Sequence, residues 1–204
     1  YCVNFSTRTH HFRPMRFCSL IFCLVLTATF APGLNALGNE QVQSGIQGLE
    51  APPLGVKSWI QLPEDRETLD ISDYRGKTVV MLLFQNTCEA CQKRAFPTLK
   101  ILVDKFGDTE KIAFLAIQTP FEDFLDNTES KIQSSAENFG LKIPFGHLAK
   151  TPGFYSVNAA YRTGGTPWWV IVNQQGKVDY NGFYLNPEVA VENLEKILDG
   201  KPVN

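Results

Sequence analysis

Cys88 and Cys91 stand in Gln85-Asn86-Thr87-Cys88-Glu89-Ala90-Cys91, and a thiol pair separated by two residues can close as a disulfide within a single turn of chain. Three chemistries use such a pair: a structural staple, half of a metal site, or thiol-disulfide exchange. A staple closing so short a loop removes little unfolded-state entropy, about 2 kcal/mol against about 4.7 for a hundred-residue loop. Structural zinc takes four ligands, and beyond the N-terminal segment the sequence offers no further cysteine and only His147. Exchange is the chemistry to which the spacing points, and it requires a thiolate.

The flanking sequence supplies the means to make one. Val79-Val80-Met81-Leu82-Leu83-Phe84 is an apolar run that predicts a buried strand ending just before the cysteines. From Gln92 to Phe106, Ala95, Leu99, Leu102, Val103 and Phe106 recur at helical spacing, and Gly107 closes the pattern. Cys88 thus falls at a helix N-terminus, where the macrodipole favours a thiolate, while Cys91 lies one turn deeper. The expected roles are nucleophile for Cys88 and resolving thiol for Cys91. Lys93 and Arg94 would favour the thiolate and Glu89 oppose it, so these three are expected to modulate the pair in opposing directions.

At 204 residues, 44% of them hydrophobic and 12% aromatic, the chain can bury one core. Its formal net charge of -2 gives no bulk attraction to nucleic acid, which is not an expected partner. Arg8, Arg13 and Arg16 precede an uncharged apolar stretch from Phe17 to Phe30, followed by Ala31-Pro32-Gly33 and small residues around Ala36-Leu37-Gly38. That order reads as a secretory signal, so residues 1–38 are expected to be a signal peptide or, uncleaved, a signal anchor, and Met15 begins a compact leader by itself. Cys2, Cys18 and Cys23 would leave with it. The expectation is an exported protein, periplasmic or extracytoplasmic, which keeps one thiol pair where disulfides persist and touches a membrane only through its leader.

Residues 39–53 are polar, carry glycine and end in Ala-Pro-Pro, the composition of a linker, and the domain is expected over 54–204. Val56 to Leu62 predicts a strand, with Thr68 to Ile71 as its hairpin partner. Lys111 to Gln118 predicts a second core strand, parallel to the first through a right-handed crossover. Thr119 to Lys150 reads as an insertion with a helix over Ser130–Phe139 and a short strand near Ile143-Pro144-Phe145, and Gly153 to Tyr161 as a short helix. Pro167–Val172 and Lys177–Phe183 flank Asn173-Gln174-Gln175-Gly176 as an antiparallel hairpin. A last helix runs from Pro187 to Leu198, with Gly200 behind it.

With the cysteine motif, the βαβ unit, Gly164-Gly165-Thr166-Pro167 and the terminal hairpin and helix in that order, Leu54 to Leu198 resembles the thioredoxin superfamily. The insertion and leader, together with Cys88-Glu89-Ala90-Cys91 beside a family Cys-Glu-Pro-Cys, are similar to the TlpA/ResA branch of exported thiol-disulfide oxidoreductases. The resemblance implies an α/β, thioredoxin-like fold: a central mixed β-sheet flanked by helices, with an N-terminal β-hairpin and a helical insertion. It implies that Thr166-Pro167 matches the loop facing the redox pair, with Pro167 cis and the edge of Thr166 free for a substrate peptide. Trp168 is expected beside them in the substrate-binding groove, with at least one of Trp168 and Trp169 in the core. Implied partners are protein thiols or disulfides and an upstream electron donor, which in this branch can be membrane-bound; no cofactor and no metal are implied.

The chain departs from that pattern at three places. Thr87 replaces the usual Trp before the first cysteine, Lys93-Arg94-Ala95 occupies the place of an acid, and Pro97 stands one residue later than the family's helix proline. The displaced proline predicts a local bulge or shifted kink. Two rival readings share the fold. A peroxiredoxin-like peroxidase needs Thr or Ser three residues before its cysteine, where Gln85 stands. A copper metallochaperone would use two soft thiolates for Cu(I), although its relatives space the cysteines more widely and add a later histidine. His147 is expected to be a solvated or loop residue rather than a ligand, and Glu122, Asp123, Asp126 and Glu129 are spaced too loosely for a metal site.

Overall fold

The computed structural model describes residues 44–63, 66–120, 125–148 and 157–202. The expected leader, Glu122, Asp123 and the start of the helix expected from Gly153 lie outside these residues.

Strand β1 is Ser58–Ile60, β2 Thr78–Phe84, β3 Ile112–Gln118, β4 Phe145–His147, β5 Trp168–Val172 and β6 Val178–Gly182. They form one mixed sheet in the order β1-β4-β3-β2-β5-β6. β2 is buried along its whole length, which is why its sequence is a continuous apolar run rather than an alternating one. It pairs in parallel with β3, Thr78 opposite Ile112 and Phe84 opposite Gln118, and antiparallel with β5. Period-two alternation divides its side chains between two cores. Val80, Leu82 and Phe84 join α1 (Phe96–Phe106), α2 (Glu129–Asn138) and α4 (Pro187–Leu198) on one face. Val79, Met81 and Leu83 join Leu54, Val56, Tyr161 and the short α3 (Val157–Ala160) on the other.

The predicted N-terminal hairpin does not form. β1 pairs antiparallel with β4, Trp59 opposite Gly146, and Ile71–Tyr74 is a 3-10 helix. The cause is local: the Asp70 carboxylate accepts the Ile71 N–H at 2.6 Å, while Asp73 accepts the Asp70 N–H at 2.8 Å. This capping box draws the backbone out of an extended path. The expected linker also has structure in its described part. Gly48 N–H donates to the Val178 carbonyl at 2.7 Å, Val178 N–H to Leu49 at 2.9 Å, and Ile46 is buried, so the folded unit begins before Leu54.

After β2 the chain becomes helical at Glu89 rather than Gln92. Cys91–Ala95 form a π-turn in which the Phe96 N–H donates to the Cys91 carbonyl, and α1 follows with Pro97 in its first turn. Pro97 has no N–H to give, so the preceding turn widens; this is the bulge that the displaced proline predicts. At the far end, the Asn186 side chain accepts the N–H groups of Glu188 and Val189 and caps α4. Among the described residues no helix is long and apolar enough to cross a membrane.

Candidate active site

The end of β2 and the start of the following helix hold Cys88 and Cys91 as a disulfide, with Cα atoms 5.2 Å apart. Cys91 is fully buried and Cys88 partly exposed. The Cys91 N–H donates to Cys88 Sγ at 3.1 Å, so an amide of the first helical turn points at the accessible sulfur. Donation to sulfur stabilises its anionic form once the disulfide is opened.

The three charged neighbours divide differently from expectation. Lys93 Nζ lies 2.5 Å from Glu89 Oε1, both side chains largely in solvent, so the two charges offset one another rather than acting on the thiols separately. Arg94 is in no ion pair among the described residues and faces a cavity of about 300 Å³ instead. Ala90, Arg94 and Thr98 line one wall of that cavity; Thr166, Pro167 and Trp169 line the other, and Phe183–Leu185 closes its end. The Thr166–Pro167 peptide is cis, and the Thr166 hydroxyl donates to Gln85 Oε1 at 3.2 Å, tying this loop to the end of β2. Trp168, expected in the groove, is replaced there by Trp169. Trp168 faces the opposite core and meets the Phe183 ring edge-on, centroids 4.9 Å apart.

A buried polar network behind the motif escaped the sequence reading. Gln118 Nε2 donates to Asn86 Oδ1, and its Oε1 accepts from His147 Nδ1 at 2.5 Å, which assigns the proton of the neutral imidazole to Nδ1. Asn86 Nδ2 donates to Ser135 Oγ at 3.1 Å, its N–H to Asn127 Oδ1 at 2.6 Å, and Gln92 Nε2 to its carbonyl at 3.2 Å. The turn before Cys88 is thereby fixed from three sides. The available signal was a polar residue where each buried run stops, Gln118 at the end of β3 and Asn86 just past the end of β2. His147 is 8% exposed and belongs to β4, not to a solvated loop.

Burial pushes His147 below the ordinary value of 6.5, with Glu129 pulling the other way. The unfolded chain therefore binds this proton more readily. The stability His147 contributes is fully present above pH 6.5 and is lost as pH falls through the depressed folded value. The unfolding midpoint should decline from about pH 7.5 to about pH 5, and less steeply in His147→Gln. Equal slopes for parent and variant would assign the decline to other groups.

Among the described residues no group of three or more His, Cys, Asp or Glu is placed to hold a metal ion. A mixed sheet in this order, with a Cys-x-x-Cys turn at the end of its central parallel strand and a cis Thr166–Pro167 loop tied to the end of that strand, is a thioredoxin-like fold. No protein-family model and no curated protein matches the chain. Solved structures do. A crystal structure of a thioredoxin-like superfamily protein is 24% identical with a TM-score of 0.62, over 76% of this chain and 99% of that one. A thiol-disulfide isomerase from Corynebacterium glutamicum is 25% identical at a TM-score of 0.61, over 72% of this chain and 96% of its own. A thiol:disulfide interchange protein DsbE from Chlorobium tepidum, given that function as putative, is 16% identical at 0.55, over 76% and 98%, a likeness of fold.

Proposed function

We propose that the protein is an exported thiol-disulfide oxidoreductase of the TlpA/ResA kind, acting on protein substrates as a reductase through Cys88 and Cys91. The observation that carries the reading is the asymmetry of the pair: a partly exposed Cys88 whose sulfur accepts an amide N–H, with Cys91 fully buried. In the reduced protein the Cys88 thiolate attacks one sulfur of a substrate disulfide. A Cys88–substrate bond forms, the substrate S–S bond breaks, and the departing sulfur takes up a proton. Cys91 then loses its proton and attacks Cys88 Sγ. This releases the second substrate thiol and leaves the Cys88–Cys91 disulfide, two electrons having passed to the substrate. Return to the dithiol requires an upstream dithiol reductant in the compartment to which the leader directs the chain.

The test is made on the reduced protein. Iodoacetamide at mildly acidic pH should modify Cys88 before Cys91, and the dithiol should reduce a protein disulfide stoichiometrically, with Cys88→Ser inactive. First modification of Cys91, or no electron transfer to any disulfide, would overturn the reading. The peroxidase alternative lacks the hydroxyl it needs, since Gln85 occupies that place and is buried.

A further inference from the structure

We propose that Arg94, with the wall formed by Phe183 and Tyr184, is a recognition subsite for an acidic residue flanking the reacting cysteine of an extended protein segment. The proposal rests on the exchange reading above and names the substrates it favours. Ala90, Arg94 and Thr98 line the cavity together from the helical segment that follows the redox pair, Ala90 two residues and Arg94 six residues beyond Cys88, so a segment joined to Cys88 and laid along the cavity meets Arg94. Among the described residues lining the cavity Arg94 is the sole charged side chain. Its sequence neighbour Lys93 is engaged by Glu89, whereas Arg94 is paired with no carboxylate among the described residues. Arg94 is itself exposed, so its guanidinium is free to take a carboxylate bidentately from a segment that lies along the apolar wall.

The wall is fixed although exposed. Phe183 and Tyr184 are 52% and 59% exposed, yet Trp168 supports the Phe183 ring from behind, and a Cβ on Gly164 would come within 2.9 Å of it. Glycine at this position lets the ring lie against the Gly164-Gly165-Thr166-Pro167 loop. The Tyr180 hydroxyl donates to the Tyr184 carbonyl and holds the turn. Beyond it a second cavity of about 560 Å³ between β6 and α4 shares Tyr184 and Leu185 with the first, so the surface continues far enough for an extended segment rather than a small thiol.

The experiment uses the reduced full chain and disulfide peptides identical except for Glu, Gln or Lys beside the half-cystine, with glutathione disulfide as a small carboxylate-bearing control. Within the parent, kcat/KM for the Glu peptide should exceed that for the Gln peptide about threefold. The preference should shrink at high salt, vanish in Arg94→Gln and turn toward the Lys peptide in Arg94→Glu. Because each result is a ratio within one variant, it does not depend on how much activity that variant keeps. Equal rates on Glu and Gln peptides, or an unchanged ratio in Arg94→Gln, would overturn the subsite while leaving exchange intact. An Arg94-dependent gain for glutathione disulfide alone would assign the subsite to a small thiol and overturn the proposal. Failure of the parent on every disulfide would overturn the exchange reading itself.

Discussion

Cys91→Ser is expected to accumulate partner proteins as covalent mixed disulfides, whereas Cys88→Ser should accumulate few or none. If Cys88 attacks first, the Cys88–substrate bond forms in the variant as in the parent, but no second sulfur remains to attack Cys88 Sγ and release the substrate. The serine hydroxyl is not an adequate nucleophile toward a disulfide. In the reciprocal variant the surviving sulfur belongs to Cys91, which is fully buried, so a folded partner cannot approach it. The contrast should approach all-or-none on a non-reducing gel, with bands that collapse when dithiothreitol is added. Equal trapping by both variants would mean that burial does not set the order of attack. No trapping by either, together with tight Cu(I) binding by the parent, would favour the copper-carrier alternative, for which two soft thiolates are the attraction.

Features decided by local periodicity were legible in the sequence. The bounds of α4, Pro187–Leu198, follow from a proline that fits the first turn and a glycine past the end, and the β5–β6 hairpin follows from two strand-like runs around Asn173–Gly176. Features decided by pairing across the chain were not. Ser58–Ile60 reads as a strand, yet its partner is β4, some ninety residues on, because the capping box at Asp70–Asp73 removes the nearer partner. Alternation shows that Trp168 and Trp169 face opposite ways, but not which of them meets the groove. That follows from register: Trp169 lies opposite Leu82, on the face that α1 covers, and α1 grows out of the cysteine turn. The cysteine pair was legible because its chemistry is carried by residue type and spacing. The Asn86–Gln118–His147 network was not, since its members are brought together by parallel pairing of β2 with β3 and β3 with β4.

The same packing predicts where one substitution should cost most. Phe96 is fully buried at the start of α1 and lies parallel to Phe139 with centroids 4.6 Å apart, edge-on to Phe84 at 4.8 Å and stacked toward Phe145 at 6.2 Å. It therefore joins α1, the end of α2, β2 and β4 through one side chain. Phe96→Ala removes the ring and leaves a cavity that these rigid neighbours cannot fill, a loss of about 3–5 kcal/mol. Against a total stability of about 5–15 kcal/mol this is large, and the melting temperature should fall by roughly 10 °C. Phe96→Leu keeps most of the volume and should cost much less. The effect should reach the active site, because the Phe96 N–H closes the π-turn on the Cys91 carbonyl and its ring anchors the residue that does so. In Phe96→Ala, Cys91 should become reactive toward alkylating agents below the melting temperature, narrowing its difference from Cys88. Denaturant unfolding of the oxidised protein gives the first quantity and timed alkylation of the reduced protein the second. A loss below about 1 kcal/mol would show that the aromatic cluster closes over the gap. A full loss of stability with Cys91 still protected would show instead that the cysteine turn is held by the Asn86 network rather than by α1.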